Sequence, residues 1–250
     1  MTGHLPIPDR LVVLTFDDGV KSQLTFAAPL LQRYGFGATF YITEGLNFLK
    51  DKKRYLTWEE VRELHESGFE IGNHTRHHKN VATQSREELQ ADLIHIDQRC
   101  QEYGISVPQS FCYPGYRNSS EAVTVLDERG FMFARRGVGP EYPYHQEGGR
   151  GPAYDPTVHP PLLIPTTGAS GPNWSFDDFL WAIDQARDGR IAVLTFHGVP
   201  DLDHAWVHTE PDEFEAYMSV LKERQCTVIA LRDLKQYVTT EFKGVEDMPT

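Results

Sequence analysis

Five side chains in the sequence have the types and positions that metal-assisted hydrolysis requires. Asp17 and Asp18 stand together before a glycine. His74 and His78 are four residues apart, and His197 stands alone much further along the chain. One aspartate and two histidines form a ligand set that suits Zn²⁺ or another divalent ion and leaves positions open for water and a substrate. The second aspartate and the third histidine are then a candidate base and acid.

Each of these features also has an ordinary explanation when it is taken alone. Asp-Asp-Gly after a strand is common in turns. A histidine pair at this spacing is often a coincidence of a helix surface, and His197 alone could be hydrogen-bonded in the core. The spacing of His74 and His78 predicts a helical turn that places both rings on one face. The occurrence of all five side chains in one sequence favours a common site.

Short apolar runs precede these residues and predict strands. LVVLTF at 11–16 precedes the aspartates, FEIG at 69–72 precedes the histidine pair, and IAVLTF at 191–196 precedes His197. A further run, QSFCY at 109–113, leads into Pro-Gly-Tyr. Because ligands bind at the carboxyl ends of the strands in parallel α/β folds, we expect these side chains to converge.

Strands and helices alternate along the chain, which indicates an α/β fold with a parallel sheet. Capping boxes at 57–60 and 85–88 predict two helix starts. Other strands are predicted at 37–42, 131–134 and 226–230, and other helices at 21–34, 119–129, 175–188, 211–224 and 231–239. An open sheet and a barrel both fit, and no GxGxxG follows the first strand. Residues 135–173 read as one long loop, which in a compact domain is usually functional or holds short elements.

The composition narrows the classes of function. The chain has 250 residues and a formal net charge of −12, which disfavours nucleic acid as a partner. Three widely spaced cysteines make a disulfide framework or a cysteine zinc site improbable. No apolar run is long enough to span a membrane. The first residues lack the pattern of a secretory signal, so we expect a cytoplasmic protein.

Four segments together identify a family resemblance. TFDDG at 15–19, HTRHH at 74–78, FCYPGY at 111–116 and TFHG at 195–198 resemble the ordered motifs of the polysaccharide deacetylases. This is the NodB homology group, also called carbohydrate esterase family 4. The resemblance implies a distorted, incomplete (β/α) barrel, similar to a TIM barrel but with seven strands. It also implies a single catalytic domain over 1–250, with its core at about 11–240 and a tail at 241–250.

The resemblance assigns a role to each of the five side chains. Asp17 matches the general base, Asp18 the metal-binding aspartate, and His197 the general acid. His74 and His78 match the two metal-binding histidines. The expected cofactor is one divalent ion, with zinc first and cobalt or manganese also compatible. The expected partner is an acetylated poly- or oligosaccharide, whereas the sequence says nothing about oligomeric state.

The third motif departs from the family pattern. Cys112 stands where the family has an arginine that orients the catalytic aspartate, and Arg117, Arg135 and Arg136 are the candidates to replace it. We interpret Cys112 itself as a buried strand residue. Tyr116 and Trp174 are candidates for contacts to the substrate or the oxyanion. In a further interpretation, His204, Trp206 and His208 lie at the rim, where an aromatic ring could stack on a sugar.

Several functions remain open at this stage. Removal of an N-acetyl group from an amino sugar is the leading hypothesis, and removal of an O-acetyl group would use the same residues. A relative that opens a cyclic ureide such as allantoin is the second hypothesis, although such relatives can lack the metal set. A non-catalytic carbohydrate-binding relative is the third, and the missing arginine is its only support.

Overall fold

The computed structural model describes residues 3–143 and 149–241. Most of the tail predicted at 241–250 therefore lies outside the described residues. The strands in chain order are β1 Leu11–Phe16, β2 Thr39–Ile42, β3 Glu70–Asn73, β4 Ser110–Cys112, β5 Phe133–Arg135, β6 Gly168–Ala169, β7 Ala192–Phe196 and β8 Thr227–Ile229. The α-helices are α1 Ala28–Tyr34, α2 Trp58–Glu66, α3 Arg86–Glu102, α4 Ser120–Glu128, α5 Phe176–Asp184 and α6 Pro211–Glu223.

All the strand pairings within the sheet are parallel. Seven strands follow one path in the order β5-β4-β3-β2-β1-β7-β6, and β8 pairs with β1 alone. Near the ends of this path, an isolated parallel bridge joins Arg135 of β5 to Ile164, which precedes β6. The sheet is thus curled and its seam is irregular, which confirms the predicted distorted, incomplete barrel.

The first strand lies inside the sheet and pairs with three other strands, β2, β7 and β8. All six residues of its LVVLTF run are buried, as expected for a parallel strand covered on both faces. It pairs with β7 along Val12–Phe16 and with β2 at its carboxyl end. This central position places the residues that follow β1 beside those that follow β7.

The two predicted capping boxes are confirmed, whereas two other predicted helices differ in extent or type. Both capping boxes, at Thr57 and Ser85, are present with their reciprocal hydrogen bonds. The helix predicted to reach residue 188 ends at Asp184, before the left-handed residues Asp188 and Gly189. The helix predicted at 231–239 is a 3₁₀ segment, Leu231–Gln236.

Two further segments carry local structure that the sequence did not specify. The helix predicted at 21–34 begins with a π-helical turn, Gln23–Ala27, before α1. The long stretch 135–173 contains a 3₁₀ turn, Pro161–Leu163, and the two-residue strand β6. In the described part of the chain, no helix combines the length and apolar character that crossing a bilayer requires.

Candidate active site

The polar residues that follow the strands converge on one cavity, as predicted from their positions. The cavity has a volume of about 360 Å³ and lies at the carboxyl ends of the strands. Its floor carries the five side chains singled out in the sequence, Asp17, Asp18, His74, His78 and His197. Its walls come from loops and include Tyr116, Trp174 and Trp206.

Asp18, His74 and His78 point their donor atoms at one another. The Nε2 atoms of His74 and His78 lie 3.4 Å and 3.2 Å from Asp18 Oδ1. Asp18 Oδ1 is buried and accepts no hydrogen bond of good geometry from the described residues. Ligands held tetrahedrally at zinc distances lie roughly 3.3–3.5 Å apart. The three residues therefore fit a divalent ion.

The histidine pair is brought together by an irregular turn, so the predicted helical turn is wrong. Residues 74–78 contain no helix, and Thr75 and His78 both have left-handed backbones, with φ of 63° and 55°. The Thr75 hydroxyl accepts a hydrogen bond from the His78 N–H at 3.1 Å. Gly45 allows the neighbouring loop to approach, because a Cβ there would lie 2.9 Å from the His77 carbonyl. Backbone strain at such positions is often found at functional sites.

The chemistry of the buried groups agrees with this ligand set. His74 Nδ1 lies 2.7 Å from the Cys112 carbonyl, which can only accept, so the ring donates there and its Nε2 faces Asp18. Burial alone would raise the pKa of Asp18, but the neighbouring His74 and His78 rings outweigh it and hold the pKa well below its usual value. Asp18 is therefore a carboxylate at neutral pH.

Asp17 is held by a different partner. A single guanidinium nitrogen, Nη2 of Arg135, lies 2.5 Å and 2.6 Å from the two carboxylate oxygens of Asp17. Both side chains are almost completely buried. Burial opposes ionisation of Asp17, but Arg135 and then His74 and His197 outweigh it and lower the pKa. A second potential metal group, formed by Asp17, His74 and Cys112, is disfavoured because Arg135 already holds the Asp17 carboxylate.

Of the three arginines considered as replacements for the one missing at Cys112, Arg135 is the one that contacts Asp17. Cys112 in β4 and Arg135 in β5 are register partners, so the arginine stands one strand away from its usual position at the same level of the sheet. Arg135 also donates to the Thr166 hydroxyl at 3.1 Å. The sequence offers one signal for this role, since Arg135 directly follows the strand predicted at 131–134.

The other two candidate arginines lie elsewhere. Arg136 forms an ion pair with Glu141, and Arg117 lines a separate surface pocket beside Asn118. Cys112 is fully buried, and burial raises the pKa of its thiol well above the usual value. This confirms the interpretation of Cys112 as a buried strand residue.

His197 faces both aspartates. Its Nε2 lies 3.8 Å from Asp17 Oδ2 and 3.9 Å from Asp18 Oδ2. Burial lowers the pKa of His197, so its ring is neutral at neutral pH and is a stronger acid whenever it is protonated. The buried Gln23 amide donates to the backbone carbonyls of Asp17, at 2.5 Å, and His197, at 3.1 Å, and so ties the ends of β1 and β7 together. Sequence analysis missed Gln23, because nothing in its pattern distinguishes it from other helix residues.

The remaining histidines and the wall aromatics occupy distinct positions. His77 points away from the ligand set and contacts Asp92 at 2.7 Å, which holds the turn against α3.

Among the aromatic residues of the cavity wall, Tyr116 lies in a cation–π contact with Arg135, whose guanidinium carbon is 5.4 Å from the ring centre. Trp174 is buried in the cavity wall, while Trp206 is 67% exposed at the mouth. His204 lies beside Trp206 at the rim as predicted.

Comparisons with known proteins identify the family of this chain. A family model described as polysaccharide deacetylase matches residues 5–134. A peptidoglycan-N-acetylglucosamine deacetylase of Bacillus cereus is 28% identical over 133 residues, which cover 53% of this chain and 59% of that protein. The match therefore spans little more than half the length of that relative.

Solved structures share the fold across nearly the whole chain. A peptidoglycan N-acetylglucosamine deacetylase superposes with a TM-score of 0.63 at 19% identity and covers 95% of this chain and 92% of its own. A family 4 acetyl xylan esterase from Clostridium thermocellum, solved with a cobalt ion, gives 0.59 at 23% identity and covers 90% and 89%. Since the family model matches 130 of 250 residues, counted from its bounds of 5 and 134, the chain belongs to the polysaccharide deacetylase family.

Proposed function

We propose that this protein is a metal-dependent deacetylase that removes acetyl groups from an acetylated carbohydrate, with N-acetylated amino sugars as its first substrate class. The observation that carries the proposal is the joint arrangement at the cavity floor. A three-residue ligand set, a carboxylate paired with a buried arginine, and a histidine facing both aspartates lie around one cavity. A site of this composition can hydrolyse an amide or an ester with a metal-activated water.

Asp18, His74 and His78 would hold the ion, and zinc is our first candidate, with cobalt or manganese as alternatives. When bound, such an ion supplies Lewis-acid polarisation of the acetyl carbonyl and of the attacking water. Two hydrogen bonds within the protein orient the histidine ligands. The Cys112 carbonyl fixes the tautomer of His74, and the Thr75 hydroxyl holds the backbone of His78.

Asp17 would act as the general base that takes a proton from the attacking water. The Arg135 guanidinium keeps Asp17 ionised in spite of its burial and fixes the direction of its carboxylate. Asp17 and Asp18 are neighbours in sequence but take different roles because their partners differ. No cysteine nucleophile is involved, since the Cys112 thiol stays protonated.

His197 would deliver the proton to the departing group. An amine leaves poorly unless it is protonated, so cleavage of an acetamide needs an acid at the site. His197 Nε2 lies 3.8 Å from Asp17 Oδ2, so one bridging water would pass the proton from Asp17 to the imidazole, which then donates it to the leaving nitrogen. Removal of an O-acetyl group would use the same histidine, although an alcohol depends less on this acid.

Acetate release provides the test. We expect metal-stripped protein to release no acetate from N-acetylated chito-oligosaccharides, and protein restored with one equivalent of Zn²⁺ to release it. Acetylated xylan, offered in parallel, separates N- from O-deacetylation. Equal turnover by stripped and restored protein contradicts the metal-dependent mechanism. Turnover of allantoin but of neither glycan supports the ureide hypothesis instead.

A further inference from the structure

Trp206 stands out among the aromatic side chains of the described residues because of its exposure. It is 67% exposed, whereas Trp58 and Trp174 are 3% and 5% exposed. Exposure of a large apolar ring to water carries a free-energy cost, and an exposed apolar surface beside a cavity is typical of a binding site. Trp206 lines the mouth of the cavity whose floor carries the ligand set.

The loop that carries Trp206 is held in place by buried polar contacts. The Asp201 carboxylate is 3% exposed; it accepts a hydrogen bond from the His204 N–H at 3.0 Å and contacts the His204 ring at 3.1 Å. The His204 ring then packs against the indole of Trp206, with 5.3 Å between the ring centres and an angle of 69°. An ion pair from Arg54 to Asp203, at 2.8 Å, joins the loop to its neighbour.

A glycine in the opposite wall fixes the spacing of the two loops. A Cβ at Gly171 would lie 2.8 Å from the Trp206 carbonyl oxygen, so only glycine allows the loops to approach this closely. The backbone of Trp206 is therefore held by the packing of the two loops, and its indole packs against the His204 ring. A preorganised aromatic surface avoids the entropy cost of ordering a side chain on binding.

The charge of the cavity walls limits the ligand class. Around Trp206 the walls present apolar groups such as Leu46, Trp174 and Val207. Among the described residues that line the cavity there is no lysine or arginine, so its walls offer no cationic side chain. A carboxylate-bearing sugar would find no cationic partner there, and the chain's net charge of −12 adds to the repulsion.

We infer that Trp206 is a stacking platform for a pyranose ring of an uncharged N-acetylated oligosaccharide, next to the ring whose acetyl group reaches the floor. The C–H groups on one face of a pyranose match an indole face, and its hydroxyls stay in water at the rim. This inference rests on the proposed function, because it takes the cavity floor as the place where the acetyl group reacts.

The binding test uses isothermal titration calorimetry on metal-stripped protein, so that the ligand is not turned over. The probe is tetra-N-acetylchitotetraose. We expect Trp206→Ala to raise its Kd about tenfold, and Trp206→Tyr to restore most of the affinity. Leu202→Ala is the matched control, because Leu202 is 85% exposed in the same loop but does not line the cavity.

A second pair of probes tests the charge of the ligand. A disaccharide of N-acetylglucosamine and N-acetylmuramic acid, which carries a carboxylate, should bind more weakly than its uncharged chitobiose counterpart.

The outcomes separate this inference from the proposed function. If wild-type protein binds the tetrasaccharide through Trp206 but the zinc-restored protein releases no acetate, the platform is supported and the deacetylase proposal fails. If acetate is released and Trp206→Ala leaves both Kd and kcat/KM unchanged, the platform is overturned. It is also overturned if wild-type protein does not bind the tetrasaccharide, or if Trp206→Ala changes only the sedimenting mass, which would assign Trp206 to contact with a second copy of the chain.

Discussion

The two ends of the sheet each bury a carboxyl group, but in opposite surroundings. Asp17 follows the carboxyl end of β1 and contacts the charged guanidinium of Arg135. Glu70 begins β3 at the amino end, where it accepts hydrogen bonds from the Thr39 hydroxyl at 2.6 Å and the Arg232 N–H at 2.8 Å. The Arg232 guanidinium itself donates to the backbone carbonyls of residues 68 and 69 instead.

This difference gives the two groups opposite pKa shifts. Burial raises the pKa of Glu70, because neutral donors do not compensate for its lost hydration. Burial acts on Asp17 as well, but Arg135 reverses the effect and lowers the pKa. The comparison teaches that burial alone does not keep a carboxyl group ionised. A charged partner at the same level of the sheet does, and in this fold it lies at the end where the ligand set is located.

Asp17→Asn should have the largest effect. The amide cannot take a proton from water, so we expect acetate release to fall by roughly 10²–10⁴-fold. Zinc content and circular dichroism should stay at wild-type values, since Asp17 is not in the ligand set. Glu70→Gln is the matched control at the other end, and its turnover should be unchanged. A comparable loss of acetate release in both variants would mean that the carboxyl group at the carboxyl end of the sheet has no special role in the reaction.

The substitution Arg135→Met removes the charged partner of Asp17, and its effect is measured as a change in the free energy of unfolding. It leaves the Asp17 carboxylate buried without a cation, and breaking such a pair costs about 3–5 kcal/mol. The double variant Asp17→Asn/Arg135→Met removes the stranded charge, so its free energy of unfolding should recover part of that loss. Urea unfolding of the single and double variants measures this coupling. If the losses of unfolding free energy in the two single variants simply add in the double variant, the two side chains do not act as a pair.

Glu70→Gln should have a smaller effect that depends on pH. Because the folded pKa of Glu70 is raised above its ordinary value of 4.5, its protonated form favours folding, and that contribution is lost as the pH rises through the folded pKa. Glutamine keeps the neutral form at every pH. We therefore expect equal melting temperatures for wild type and variant below pH 4.5 and a higher one for the variant at neutral pH. A variant that is less stable than wild type at neutral pH would contradict the assigned shift.

The sequence specified those parts of the site that depend on chemistry close to a strand end. The aspartates after β1, the histidines after β3 and His197 after β7 were predicted because residue type and strand boundary are both local properties. The turn at 74–78 was not predicted, because Thr75 is β-branched and such residues rarely adopt a left-handed backbone.

The role of Arg135 needed the structure, since it depends on the register of two strands that are separated by a helix. The same holds for the irregular seam at Ile164 and for the tight approach of Gly171 to Trp206. Such contacts are set by tertiary packing and not by local propensity. The prediction of a single domain over 1–250 stays a prediction.

The most direct test of the account is the metal content of two neighbouring histidine variants. His78 belongs to the ligand set, whereas His77 contacts Asp92, and glutamine at 77 can still donate to that carboxylate. After dialysis against Zn²⁺ and removal of free metal, we expect one zinc per chain in wild type and His77→Gln, and loss of the metal in His78→Gln. Equal zinc content in the two variants would contradict the assignment of Asp18, His74 and His78 as the metal site.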